Sequence, residues 1–145
     1  MLLVVIFYFT LMCTCYYVYL RGGYTEKVTM TVLLVGSLLS AAAVIYFDDH
    51  WARAGHYVLL IDCVALFILV SIALKSKRFW PMWVAGFQLP GVVTHIATLV
   101  DPHIVPKSYA IAQGLWIYPM MIVLIVGTRA RVQWNRRFPN NKLPR

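Results

Sequence analysis

HYVLLIDCVALFILVSIAL, residues 56–74, is followed at once by Lys75, Lys77 and Arg78. The run holds one charged side chain, Asp62, among aliphatic and aromatic neighbours. As a helix rising 1.5 Å per residue it covers roughly 30 Å, the thickness of one hydrocarbon core. In lipid such a run must be helical, because each backbone N–H and C=O needs a partner within the segment.

Four more runs of this kind flank it, at about Leu2–Leu20, Val28–Phe47, Phe79–Val100 and Tyr109–Thr128. The gaps between them are short, so consecutive spans are expected to be antiparallel neighbours. Basic residues fall almost entirely in alternate gaps. Of the 13 Lys and Arg, all but Arg53 and Lys107 lie in three places: Arg21 and Lys27; Lys75, Lys77 and Arg78; and the stretch from Arg129 to Arg145. Arg53 and Lys107 stand instead beside Asp48, Asp49 and Asp101. This is the positive-inside pattern. The expectation is an all-α bundle of five transmembrane helices over residues 1–128, N-terminus outside, with a basic cytoplasmic tail at 129–145.

Composition agrees. The chain is 61% hydrophobic and 12% charged, with a mean hydropathy of +0.74; a soluble domain carries about 25% charged residues. The net charge of +8 is not read as a nucleic-acid footprint, since the basic residues flank apolar runs and form no binding helix. They face an anionic inner leaflet instead. The first run lacks a basic leader and a small-residue cleavage site, and is read as a true span rather than a signal peptide. Tyr16, Tyr17 and Tyr19 before Arg21, and Trp80 after Arg78, are placed as interfacial anchors. The tail, with Trp134 and Phe138, is expected either to lie on the membrane surface or to be a solvated segment that only fixes topology. Cys13, Cys15 and Cys63 all fall inside spans, give no disulfide framework, and are read as small hydrophobes.

Few polar groups are committed to the apolar runs. Asp62, His95 and Gln113 each lie about four to six residues inside the outer end of their spans, roughly 6–9 Å below the boundary. Thr94 and Thr98 are close to the same layer. An ionisable residue within a span is a functional hypothesis whose partner should be named, and for Asp62 that partner is His95. A carboxylate beside an imidazole favours the imidazolium while burial opposes it, so the pair is suited to exchanging a proton. The competing reading is a hydrogen bond that holds two helices together. Pro90 and Pro119 are expected to kink the fourth and fifth spans. Gly36-x-x-x-Ser40 on the second span is a close-packing signal, for a contact either within the bundle or with another chain.

His50, His56 and His103 with Asp49 are candidates for a metal site on the outer surface, although no helical spacing fixes their geometry. His56 and His95 are the one pair considered for haem. The expectation is that no cofactor is bound.

FWPMWVAGFQL at 79–89, with Thr94-His95 and Asp101-Pro102, resembles small uncharacterised multi-span inner-membrane proteins of bacteria over about the last three spans. The resemblance implies a multi-pass protein of the cytoplasmic membrane and no particular activity. The five-span tryptophan-rich sensory proteins that bind porphyrins share the length, but their proline-tryptophan-proline pattern is missing. No catalytic serine arrangement, phosphate-binding glycine loop or paired catalytic carboxylates stand out. The leading expectation is a non-enzymatic accessory or scaffold component whose partners are other membrane spans or a second copy. The alternative is a small proton-coupled transporter using the Asp62, His95 and Gln113 layer. A metal or haem enzyme is the third reading.

Overall fold

In a computed structural model, residues 2–46, 51–100 and 115–138 are described, with side chains described outside 2–4, 51–54, 98 and 99. These residues form five helices: α1 (Leu2–Arg21), α2 (Tyr24–Tyr46), α3 (Trp51–Lys75), α4 (Trp80–Val100) and α5 (Ile117–Arg137). No strand occurs among them. The chain is all-α, as its long uninterrupted apolar runs require.

Each helix packs on its sequence neighbour, and α1 also lies against α5, which closes the bundle. The hydroxyls in the apolar runs bond back to their own helices: Thr14 donates to the Thr10 carbonyl, Thr29 to Thr25, Ser71 to Phe67 and Thr128 to Leu124, all at 2.8–2.9 Å. The Thr14 hydroxyl also lies 3.8 Å from the Met121 sulfur of α5, whereas the other three are satisfied within their own helices.

The connections at the basic end are tight. Gly22 and Gly23 alone separate α1 from α2, with the Gly22 N–H donating to the Val18 carbonyl at 2.7 Å. The α3–α4 turn is held by the Ser76 N–H donating to the Ile72 carbonyl, 2.9 Å, and the Arg78 N–H donating to Ser76 Oγ, 3.2 Å. The core gathers towards this end. Leu11 and Val18 of α1, Met30 and Leu33 of α2, and Met120 and Leu124 of α5 are buried together with Leu69 and Val84. Dispersion between such closely packed side chains accumulates contact by contact.

Among the described residues two helices, Tyr24–Tyr46 and Gly55–Lys75, are long and apolar enough to cross a membrane, with mean hydropathies of 2.2 and 2.7. Only 22% and 17% of their apolar windows are buried, unlike the core helix of a soluble protein. A shorter apolar stretch occupies Val5–Arg21.

The last helix ends elsewhere than the apolar run does. Hydropathy stops at Thr128, but α5 continues to Arg137 and closes with the Phe138 N–H donating to the Trp134 carbonyl at 2.9 Å. The end of an apolar run marks where the surroundings change. The end of a helix marks where backbone bonding fails, and arginine is a good helix former. Residues 129–137 are therefore ordered helix, and Arg131 within them is buried.

Candidate functional site

Two polar clusters occupy opposite ends of the bundle. The first joins α3 to α4. Gln88 and His95 are seven residues apart on α4, two helical turns, and so share the face turned to α3. His95 Nε2 lies 3.0 Å from Asp62 Oδ2. Gln88 Nε2 donates to Asp62 Oδ1 at 3.3 Å. Both oxygens of one carboxylate are thus engaged by the neighbouring helix. The side chains of His95 and Asp62 are 13% and 21% exposed, so the pair is neither sealed nor open. Buried Ala65 and Val92 lie along the same two helices.

Pro90 falls between the two α4 ligands of Asp62 and deprives Gly86 of the amide donor normally supplied four residues on. Thr94 gives its hydroxyl to the Pro90 carbonyl and so turns back onto its own helix. Gln113 lies outside the described residues, as does the side chain of Thr98. Pro119 is in the first turn of α5, just after the turn at Trp116 that separates helical Leu115 from α5, and lacks the N–H that would bond the Leu115 carbonyl. A Cβ placed on Gly36 meets nothing within 4 Å among the described residues, so α2 is not closely packed at this position against the helices described.

Of the metal candidates, His50, His103 and Asp49 lie outside the described residues, and His56 is in α3. Among the described residues no three His, Cys, Asp or Glu side chains gather as a metal site would require. His95, one half of the haem pair considered, directs its Nε2 at Asp62.

The second cluster was not expected. Glu26, in the first turn of α2, is 1% exposed. Its Oε2 accepts the Gly23 N–H at 3.1 Å, a carboxylate at the third helical position reaching back to the residue that precedes the helix. Its Oε1 accepts from Arg78 Nη1 in the α3–α4 turn. Arg131 of α5 brings Nη1 to 3.7 Å from Oε2. One carboxylate therefore ties together the α1–α2 turn, the α3–α4 turn and α5.

Two glycines permit this approach. A Cβ on Gly23 would overlap the Arg131 guanidinium, and one on Gly127 would sit 2.9 Å from the indole of Trp80. The Nε of Arg131 and the Nε1 of Trp80 are buried without a hydrogen-bond partner among the described residues. The overlooked signal is compositional: Glu26 is the chain's one glutamate and the one acid in the basic gaps.

No protein-family model, curated protein or solved structure matches the chain.

Proposed function

We propose that the chain is an integral membrane protein of five spans in a bacterial cytoplasmic membrane, N-terminus outside and residues 129–145 inside, acting as a non-enzymatic accessory or scaffold component. The observation that carries the membrane reading is the outward surface. Every helix turns large apolar side chains away from the bundle: Phe9, Ile45, Phe67, Val93 and Ile122 are each at least 60% exposed. A water-soluble monomer rarely exposes apolar patches of this extent, whereas lipid accepts them. The scaffold reading is supported by the open position at Gly36 among the described residues, one turn from Ser40, where small residues spaced four apart let a helix of another chain pack closely.

Reporter fusions after Gly23, Arg53, Lys77, Lys107 and Arg145 should alternate in, out, in, out, in. A reporter after Arg145 found outside overturns the topology. Purification in mild detergent should bring down a second membrane chain or a second copy, and Gly36→Leu should release it. A strictly monomeric wild type counts against the scaffold.

One observation favours a second reading. Asp62 and His95, in contact and incompletely buried, form a titratable pair on the face of a proline-interrupted helix. Broken helices carrying polar residues are what transporters use to line a site. Under this reading Asp62→Asn retains the fold and abolishes proton-coupled flux in proteoliposomes. Under the scaffold reading wild type shows no flux to lose.

A further inference from the structure

A groove of about 450 Å³ runs between α1 and α5, lined by Cys13, Thr14, Tyr17, Ile125 and Arg129. Two of its donors are unengaged: neither the Tyr17 hydroxyl nor the Arg129 guanidinium has a partner among the described residues. Arg131, two positions further along α5, is by contrast drawn into the bundle by Glu26.

The groove is graded along its length. Cys13 and Tyr17 are one helical turn apart, and Arg21 continues that face of α1 at the same spacing. Ile125 and Arg129 repeat the pattern on α5. In the proposed topology α1 and α5 run in the same direction, so both faces pass from apolar to cationic towards the basic end. From Cys13 to Arg21 the axial distance is about 12 Å. The local field is positive as well, since two arginines flank the single charge of Glu26.

We propose that this groove is a binding site for one anionic phospholipid of the inner leaflet. The proposal rests on the five-span topology. The phosphate sits between Arg129 and Arg21 with a hydrogen bond from the Tyr17 hydroxyl, and an acyl chain lies against Cys13 and Ile125. Charge complementarity selects an anionic headgroup at the cytoplasmic surface. The apolar half of the groove selects a lipid over a free phosphate. The site lies where α1 meets α5, the seam that closes the bundle, so the lipid fastens that seam.

The test is native mass spectrometry of the full chain in detergent, titrated separately with phosphatidylglycerol, phosphatidylcholine and inorganic phosphate. One phosphatidylglycerol should be retained in preference to phosphatidylcholine, and inorganic phosphate should not compete. Arg129→Gln should weaken phosphatidylglycerol binding about fivefold, as expected for one basic residue at an anionic surface. Cys13→Trp, which fills the apolar half and leaves every charge in place, should weaken it too. Lys75→Gln removes the same charge at the same end, outside the groove, and should leave binding unchanged.

Equal loss in Arg129→Gln and Lys75→Gln overturns the proposal in favour of diffuse attraction. Equal retention of the two lipids, or competition by phosphate alone, overturns it as well. The headgroup comparison is made on wild type, so it stands even where a variant fails to fold. Failure of the topology is read separately, from the reporter after Arg145.

Discussion

The two polar clusters differ in how many parts of the chain each one joins. Asp62 receives both of its partners from α4, and the contact is partly exposed. Glu26 receives partners from two turns and from α5, and is almost wholly enclosed. The first cluster can rearrange while two helices shift. The second cannot change without disturbing three connections at once. A carboxylate held from one side fastens two helices. A carboxylate closed in from three sides is suited to hold.

The largest effect should therefore come from Glu26. Glu26→Gln leaves Arg131 buried without a counter-charge, and breaking a buried ion pair from one side costs about 3–5 kcal/mol. Thermal unfolding in detergent should fall accordingly. Combining Glu26→Met with Arg78→Met and Arg131→Leu should recover most of the loss, because apolar residues of similar volume often replace a buried ionic triad without penalty. A triple variant as unstable as Glu26→Gln would mean that the charges themselves, and not their mutual closure, hold this end together.

Next is the space that the cluster needs. Gly23→Ala places a methyl group where the Arg131 guanidinium lies, and Gly127→Ala presses on the Trp80 indole. Overpacking of this kind costs about 1–3 kcal/mol. Gly23→Ala should show the greater loss, since its neighbour is a guanidinium fixed by Glu26. Removing the obstruction with Arg131→Ala in the Gly23→Ala background should make the glycine substitution itself nearly neutral.

Why one cluster was legible in the sequence and the other was not follows from where their residues stand. Asp62 and His95 interrupt apolar runs, so each is conspicuous, and counting residues from the span ends places them at one depth. Short connections then make α3 and α4 neighbours, and the contact follows. Glu26 stands in a polar gap between Arg21 and Lys27, where an acid looks ordinary. Its burial depends on α5 continuing past Thr128 to present Arg131, and hydropathy gives no sign of that. Arg78 and Arg131 were read by their charge alone, as markers of sidedness, although a topology determinant can also be a ligand. Among the described residues the number of helices and their neighbours could be read from the lengths of the apolar runs and of the gaps, whereas the end of α5 could not.

The α3–α4 pair should respond more mildly. Interhelical hydrogen bonds in apolar surroundings contribute about 0.6–2 kcal/mol, so Asp62→Ala should lower stability by that order. The double variant Asp62→Ala with His95→Ala should lose less than the sum of the two single losses, because either change alone already removes the contact between them. A double-mutant cycle in detergent measures the coupling directly. If the two losses add without coupling, the 3.0 Å contact is incidental and both functional readings of the pair lose their basis.

The smallest effect on stability is expected at Gly36, which also sharpens the contrast between holding and binding. A Cβ there meets nothing within 4 Å among the described residues, and surface substitutions away from specific contacts usually fall within about 0.5 kcal/mol. Gly36→Leu should unfold at the wild-type temperature. Under the membrane reading the same change widens a face on which helices approach most closely when small residues are spaced four apart. Co-purification of a partner helix or second copy should therefore fall while the isolated chain keeps its stability. If Gly36→Leu instead destabilises the chain, α2 is packed within the bundle at this position and the face is not available to a partner. If neither stability nor association changes, the close-packing pattern has no occupant and the scaffold reading loses its support.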